Sequence, residues 1–319
     1  MEKDKKVCLR ERDIELLRFI GEYGVISNEN VKLLYKSEYY YKNRLASLAN
    51  GEMIERHNGK VVLGRNGRAY LNKYDWGCRN INRADGYKKR LERVSNIACK
   101  IGHAGWYFEP SWQCNTNKYT NTGNRFIGVM SRRPRGECEE DEWYFKDCYI
   151  IYFLSKDITR KELKVYEREM KRYQNNVKGF VIFVEDEEFL YCPRIVDINA
   201  PDVYTVLYHD RVWEYIKRIK DEDYSRDVVM DVFGDEYVKY LNIIFDMYYI
   251  KKVDSETGKD YYIYVVPILL PDFDKMDWVN YRATDWIEDD VKMKVICESE
   301  YVAYIREYLD ELVEVVCLS

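Results

Sequence analysis

The sequence lacks the short motifs on which several classes of enzyme depend. Its 319 residues contain no GxxxxGK[ST] loop and no GxGxxG turn, so nothing indicates nucleotide hydrolysis or dinucleotide binding. The three histidines, His57, His103 and His209, are dispersed and form no HxH or HExxH motif. We therefore expect no zincin, no zinc ribbon and no His-triplet relaxase site.

Long apolar runs and paired cysteines are also missing. No stretch approaches the roughly 18 uninterrupted apolar residues of a membrane span, and residues 1–6 offer no apolar core for a signal peptide. The nine cysteines form no CxxC pair and are widely scattered, which favours reduced, buried thiols over a disulfide framework. With 46% hydrophobic and 34% charged residues, we expect a cytoplasmic globular protein without a membrane partner.

Positive charge is concentrated at the start of the chain. The formal net charge is −5, yet residues 1–80 carry 16 lysines and arginines against 11 aspartates and glutamates. A polyanionic partner would therefore meet the first segment. The length suits two domains. We predict one over 1–80 and a second over 81–319, with a possible further boundary near 221–235.

Three helical patterns and a hairpin signal occupy the first domain. Ser27 and Ser37 are good N-caps for a second and a third helix, the third running from 38 to about 50. Asn58-Gly59 separates two short apolar strands, and this pair suits a tight hairpin because both turn residues need positive φ. Helices followed by a hairpin predict a winged helix-turn-helix. The inward positions of its third helix would be Tyr41, Leu45 and Leu48.

In such a fold the third helix enters the major groove of duplex DNA and the hairpin lies along the flanking backbone. Amides and hydroxyls suit base edges, and lysines suit phosphates. Winged helices can also dock proteins, and then the tyrosines here would only pack. The predicted DNA-contacting residues are Ser37, Tyr39, Tyr40, Lys42, Asn43, Arg44 and Ser47 on the helix, and His57, Asn58, Lys60 and Arg65 on the hairpin.

Several short runs in this domain carry a family resemblance. They are Leu9-Arg-Glu-Arg-Asp13, Leu16-Leu-Arg-Phe-Ile20, Arg44-Leu-Ala-Ser-Leu48 and Arg65-Asn-Gly-Arg-Ala-Tyr-Leu71. Together they resemble the opening of the replication-relaxation proteins of plasmids and integrative elements, some of which are similar to MobC-type relaxases. The resemblance implies a winged helix followed by a restriction-endonuclease-like domain. Arg10 departs from the pattern, since such openings place a hydroxyl residue there to cap the first helix.

Residues 81–319 show alternating helical and strand patterns. Residues 148–154 are apolar throughout, as in a central strand covered on both faces, and Thr159-Arg-Lys-Glu162 is a capping box that opens a helix. Residues 179–184 predict the next strand, and we expect a helix around 236–245 and a final helix over 300–312. The fold class predicted for the whole chain is α/β (α+β), with a mixed-sheet, restriction-endonuclease-like second domain.

A metal-dependent nuclease needs two carboxylates and a nearby lysine, and the central region does not supply them. Gly128 stands where the first acid would be wanted. A literal Pro-Asp…Asp-x-Lys match occurs later, at Asp272, Asp290 and Lys292, but the pattern is short and this chain is rich in such residues. These three are the only catalytic candidates, and we expect no cofactor unless a nuclease requires Mg²⁺ or Mn²⁺.

The leading hypothesis is a site-specific duplex-DNA-binding protein of a mobile element, acting in replication, mobilisation, conjugation or gene control. Its second domain would have no complete metal site. One alternative is an active metal-dependent nickase or relaxase. Another is an adaptor whose acidic second domain recruits other element-encoded proteins. Double-stranded DNA is the expected partner, and a homodimer is a further possibility.

Overall fold

The computed structural model of the chain describes residues 7–37, 39–79, 85–114, 125–137, 146–191, 198, 200, 202–209, 212–220, 223–234, 238–242, 246–285 and 291–318. Over these residues the fold is mixed α/β, as the sequence predicts. The chain divides into two compact units, Met1–Pro110 and Ser111–Ser319. No helix of the described residues is both long enough and apolar enough to cross a membrane.

The first unit begins with helices and a small sheet. A three-stranded sheet has the order β1-β3-β2, and both strand pairs are antiparallel. The elements are α1 (Glu11–Tyr23), β1 (Ile26–Ser27), α2 (Asn28–Tyr35), α3 (Tyr40–Asn50), β2 (Ile54–His57), β3 (Lys60–Leu63), α4 (Arg65–Lys73), α5 (Asp85–His103) and β4 (Tyr107–Pro110).

The predicted cap of α2 and the predicted hairpin of this unit are present. The Ser27 hydroxyl accepts a hydrogen bond from the Asn30 amide at 3.3 Å. The Ser37 hydroxyl accepts one from the Tyr40 amide at 3.1 Å, but α3 begins at Tyr40, later than predicted, and its N-cap residue is Tyr39. His57 pairs with Lys60 across the hairpin. The two residues between them, Asn58 and Gly59, have φ of 47° and 77°, as a two-residue turn with positive φ requires.

The base of the hairpin lies against α4 with no space between them. A Cβ at Gly67 would stand 2.1 Å from the carbonyl oxygen of Met53, so only glycine permits this approach. The Gly64 amide donates to the same carbonyl at 3.0 Å. In the sequence, residues 65–71 stand out only as part of the family resemblance, and no helix is predicted there, so α4 is a new finding.

Helix α5 belongs to the first unit, although the sequence placed the domain boundary at residue 80. The Asn30 side chain donates to the side-chain oxygen of Asn96 at 2.8 Å, and the Ser95 hydroxyl donates to the carbonyl of Val25. Buried Cys99 joins the core formed by α1, α2 and α3. The amphipathic face of α5 is thus covered by α2 and β1.

The second unit contains parts of two sheets. In the first, four strands lie in the order β5-β6-β7-β8, where β5 is antiparallel to β6 and the next two pairs are parallel. The second has the order β13-β12-β11-β10-β9. The strands of the first sheet and its connecting helix are β5 (Gly128–Ser131), β6 (Cys148–Leu154), α6 (Arg160–Tyr173), β7 (Gly179–Val184) and β8 (Asp202–Leu207).

Burial explains this first sheet. All seven residues of β6 and all six of β7 are buried, and the Thr159 capping box at the start of α6 has both of its hydrogen bonds. The remaining elements are α7 (Val212–Lys220), α8 (Tyr224–Phe233), β9 (Val238–Asn242), β10 (Asp246–Val253), β11 (Asp260–Pro267), α9 (Phe273–Asp285), β12 (Lys292–Glu298), α10 (Val302–Tyr308) and β13 (Val313–Leu318).

One helix predicted late in the chain is wrong, and another is shorter than predicted. Residues 238–242, within the expected helix over 236–245, form β9, which pairs antiparallel with β10. The expected final helix over 300–312 ends at Tyr308, and β13 follows, parallel to β12. Short apolar runs rich in Val, Ile and Tyr fit both the helical and the strand repeat of apolar residues. Pairing with a neighbouring strand then decides that the segment is a strand. Residues 111–319 group as one compact unit, and the possible boundary near 221–235 stays a prediction.

Candidate nucleic-acid interface

One side of α3 is fixed to the core of the first unit. Leu45 and Leu48 are fully buried, as predicted, and Tyr41 is half-buried. On the same helix the Arg44 guanidinium forms an ion pair with Asp13 of α1, which has no exposed surface. These contacts set the rotation of α3 about its own axis, and so decide which side chains face solvent.

Asp13 is the centre of a polar network that joins three helices. Its carboxylate accepts from the Tyr35 hydroxyl at 2.6 Å, from the Arg10 amide at 2.8 Å and from Arg44. Burial alone would raise the pKa of Asp13, but the hydrogen bonds from Arg44, Tyr35 and Arg10 outweigh it and hold that pKa below its ordinary value. Asp13 is therefore a carboxylate near neutral pH, and α3 is held to it by charge.

Arg44 consequently differs from its predicted role in DNA contact. Its side chain is only 13% exposed, and it also donates to the carbonyl of Cys8 at 3.0 Å. A guanidinium held by a buried carboxylate is not available to a phosphate unless that carboxylate is left unpaired. Arg44 instead positions the helix. The sequence pattern suggested neither partner, since Asp13 lies 31 residues away.

The exposed side of α3 presents polar groups. Lys42 and Asn43 are exposed and adjacent, and Tyr39 is 80% exposed just before the helix. Tyr40 is half-buried, its hydroxyl accepts from the Arg10 guanidinium, and Ser47 is half-buried. Among the predicted DNA-contacting residues, Ser37 lies before α3, and its hydroxyl accepts from the Tyr40 amide as described above.

The hairpin residues divide in the same way. His57, at the end of β2, is 70% exposed beside Glu55, and Asn58 is exposed in the turn. Lys60, in contrast, donates to Glu92 of α5 at 2.6 Å, so part of its charge is matched within the protein. Arg65 is exposed at the first position of α4.

Two exposed arginines near these residues were missed by the sequence prediction. Arg56 is exposed on β2, and Arg68 is exposed on α4 with its Nε donating to the carbonyl of Leu63 at 3.3 Å. Both belong to the local excess of basic residues, which was the available signal. With Lys42 and Arg65 they make this part of the first unit rich in exposed cations.

Two of the late nuclease candidates of the second unit, Asp272 and Lys292, lie towards opposite ends of the β11–β12 pair. β11 and β12 are parallel, and Lys292 opens β12, opposite Ile263. Asp272 follows the other end of β11, where Pro267 pairs with Ile296. Along the strands, the Ile263–Lys292 pair and the Pro267–Ile296 pair are four residues apart, which is about 13 Å at 3.3 Å per residue. Asp290 lies outside the described residues.

Both described members of that motif have other structural roles. Asp272 is 4% exposed and accepts from the Lys275 amide at 3.2 Å, as an N-cap of α9 does. Lys292 is exposed, with its ammonium 5.3 Å from the ring centre of Tyr261. Within the residues that the structure describes, no group of three or more His, Cys, Asp or Glu side chains could hold a metal ion.

A buried carboxylate lies beside the chain that enters β5, the strand in which Gly128 stands where a catalytic acid would be wanted. Glu169 of α6 is 7% exposed. It accepts from the amides of Arg125 and Phe126, at 2.9–3.1 Å, and from the Tyr152 hydroxyl at 3.1 Å. These donors satisfy the carboxylate and anchor the chain as it enters β5, so Glu169 stabilises the sheet.

Comparison with known proteins gives no relative: no family model, no curated protein and no solved structure matches this chain. The resemblance to the replication-relaxation proteins stays a prediction from the quoted residues.

Proposed function

We propose that the first unit contains a winged helix-turn-helix that binds duplex DNA at a specific site. In this proposal α3 enters the major groove, and the β2–β3 hairpin is the wing on the flanking backbone. One observation carries it. Lys42 and Asn43 are exposed on a helix whose opposite side is fixed by buried leucines and by the Arg44–Asp13 pair.

The exposed groups suit separate tasks. The Asn43 amide can donate to and accept from the edge of an adenine, a bidentate contact that distinguishes it from other bases. Lys42 and Arg65 can neutralise phosphates without regard to sequence. His57 and Asn58 at the turn are placed to follow the sugar-phosphate backbone. The tight approach of α4 to the hairpin base would keep the wing in place before DNA arrives.

We further propose that the protein serves a mobile element, as the family-like runs imply, and that its second unit acts without cleaving DNA. The order of β5, β6, α6 and β7 agrees with a nuclease-like sheet. Its first strand, however, begins with Gly128, which has no ligand to offer. The separation of Asp272 from Lys292 supports a non-catalytic role, such as holding other proteins of the element.

The binding proposal is tested with the full chain, because a fragment ending at residue 80 would lose α5 and uncover the apolar face of α2. Target sequences are selected from a random duplex library, and affinity is then measured by fluorescence anisotropy over a range of salt concentrations. We expect log affinity to fall linearly with log salt. Absence of measurable binding at low salt would refute the proposal.

Two substitutions separate phosphate contact from base readout. Lys42→Ala should weaken all sequences alike and reduce the salt slope by about one. Asn43→Ala should relax preference at one base pair, at a cost of about 1–3 kcal/mol. Exposed residues of the second unit, Lys161→Ala and Asn176→Ala, are the matched controls and should change neither quantity. An unchanged consensus for Asn43→Ala would show that base readout lies elsewhere.

The non-catalytic role has its own assay. Supercoiled plasmid carrying the selected site is incubated with the protein and Mg²⁺ or Mn²⁺, and we expect binding without nicking. Nicking by the wild type that Asp272→Ala and Asp290→Ala both abolish would establish the late motif as the active site. Nicking that survives both would place catalysis on other residues. Either result contradicts the proposal.

A further inference from the structure

Three aromatic side chains gather at the end of α4, and two of them are unusually exposed. Tyr74 is 48% exposed and Trp76 is 41% exposed. Their rings are stacked, with centres 5.2 Å apart and planes 26° apart. Tyr70 contacts both, at 5.0 Å and 6.1 Å between ring centres. We call these three residues the aromatic cluster.

The backbone holds the aromatic cluster at the surface. The carbonyl of Leu71, a fully buried residue, accepts from the amides of both Tyr74 and Trp76, each at 3.1 Å. Between them Asp75 has a φ of 54°, a left-handed conformation that is uncommon for a residue other than glycine. The turn thus directs two large rings outward instead of folding them onto the core.

Cations lie against both exposed rings. The Arg18 guanidinium of α1 lies 4.8 Å from the ring centre of Trp76, and the Lys73 ammonium lies 5.7 Å from that of Tyr74. Both distances suit cation–π attraction. Asp75 is the acidic residue of the turn and is exposed. Two cations therefore accompany two exposed rings, with one carboxylate beside them.

We propose that the aromatic cluster, with Arg18 and Lys73, is a binding site for unpaired bases of single-stranded DNA. Every base has a π-face that can stack on an aromatic ring irrespective of sequence, while nearby cations offset the phosphate charge. Exposed, stacked rings flanked by arginine and lysine meet both requirements. The inference rests on the proposed function only in taking DNA as the partner, and it adds a single-strand site to the duplex site on α3.

The test measures both kinds of DNA on the full chain. Labelled oligothymidylate of about 12 nucleotides and the selected duplex are titrated separately at one salt concentration. The double variant Tyr74→Ala/Trp76→Ala should bind oligothymidylate at least about tenfold more weakly and bind the duplex as the wild type does. Tyr281→Ala is the control, because Tyr281 is 64% exposed beside Arg282 in the second unit.

Two milder variants keep the test independent of folding. Trp76→Phe retains a ring, so binding should persist, but the quenching of tryptophan fluorescence by oligothymidylate should be largely lost. Asp75→Asn removes the one acid of the turn and should tighten single-strand binding severalfold at low salt.

The outcomes separate the two proposals. Duplex binding without single-strand binding would overturn this inference and leave the winged-helix proposal standing. Single-strand binding that depends on Tyr74 and Trp76 would support the inference even if no duplex bound. Single-strand binding unaffected by the double variant would overturn it. The inference would also be overturned if the protein failed to bind oligothymidylate and a protein partner instead shielded Trp76 from solvent.

Discussion

The two units each bury a carboxylate, and they satisfy it by different means. Asp13 in the first unit is paired with a cation, Arg44, and hydrogen-bonded to Tyr35. Glu169 in the second unit accepts from two backbone amides and the Tyr152 hydroxyl. In the first unit the position of α3 relative to α1 depends on the charge of one side chain, Arg44. In the second unit the donors to Glu169 include backbone amides, which no substitution of a side chain removes. The first arrangement is the more vulnerable.

The largest expected effect comes from removing the cation. Arg44→Ala leaves the Asp13 carboxylate buried and unpaired, and losing one partner of such a pair typically costs about 3–5 kcal/mol. We expect that loss in the free energy of unfolding of the first unit, with hydrogen exchange in α1 and α3 reporting where it falls. Adding Asp13→Asn should recover part of it, because the stranded charge is gone.

Arg56→Ala, an exposed arginine of the same unit, is the matched control and should change stability by less than about 0.5 kcal/mol. A similar small loss for Arg44→Ala would mean that solvent or another donor replaces the guanidinium, and the contrast between the two units would disappear.

Glu169→Gln should have a smaller effect in the second unit. The amide keeps one acceptor oxygen but turns a donor toward backbone amides, and a buried donor left without an acceptor costs about 1–3 kcal/mol. Urea unfolding of the full chain measures it. Glu167 of the same helix is partly exposed, with its carboxylate 3.1 Å from the Lys171 ammonium, and Glu167→Gln should lie within about 0.5 kcal/mol of the wild type.

Acid should act through Asp13. Its pKa is lower in the folded protein than in the unfolded chain, so its contribution to stability is complete above the unfolded value, near pH 4, and is lost as the pH falls through the folded value. Unfolding measured from pH 7 to pH 3 should show this loss in the wild type. The double variant Asp13→Asn/Arg44→Gln should show less of it, and an identical pH dependence would contradict the assignment.

The smallest effect belongs to the Lys60–Glu92 pair. The Lys60 side chain is 44% exposed and that of Glu92 is 26% exposed, and exposed ion pairs contribute about 0–1 kcal/mol. Lys60→Ala should therefore lower the free energy of unfolding by no more than that. A larger loss would show that α5 depends on this contact more than on its buried face.

Local chemistry explains which elements the sequence could predict. Ser27, Asn58-Gly59 and the Thr159 capping box act within a few residues, and each produced the expected cap or turn. The apolar run 148–154 could be identified as a buried strand because its composition leaves little else. The fold class follows from these elements alone.

Non-local pairing explains what could not be predicted. β9 is a strand because a neighbouring strand pairs with it, whereas the sequence by itself predicted a helix there. β13 lies beyond the predicted final helix and pairs with β12. Asp13 meets Arg44, and Lys60 meets Glu92, only once the helices have packed. The exposure of Lys42 and Asn43 could therefore be predicted from periodicity, whereas Tyr40 and Ser47, also predicted to face outward, are half-buried. The separate role of Arg44 could not be predicted.

The contact between Gly67 and the carbonyl of Met53 has a consequence for how this chain can evolve. Lys42 and Asn43 face solvent, so they can change at little cost to folding. Any side chain at position 67 would push α4 away from the hairpin base. Descendants of this protein could thus change the exposed side chains of α3 freely, while position 67 remained glycine.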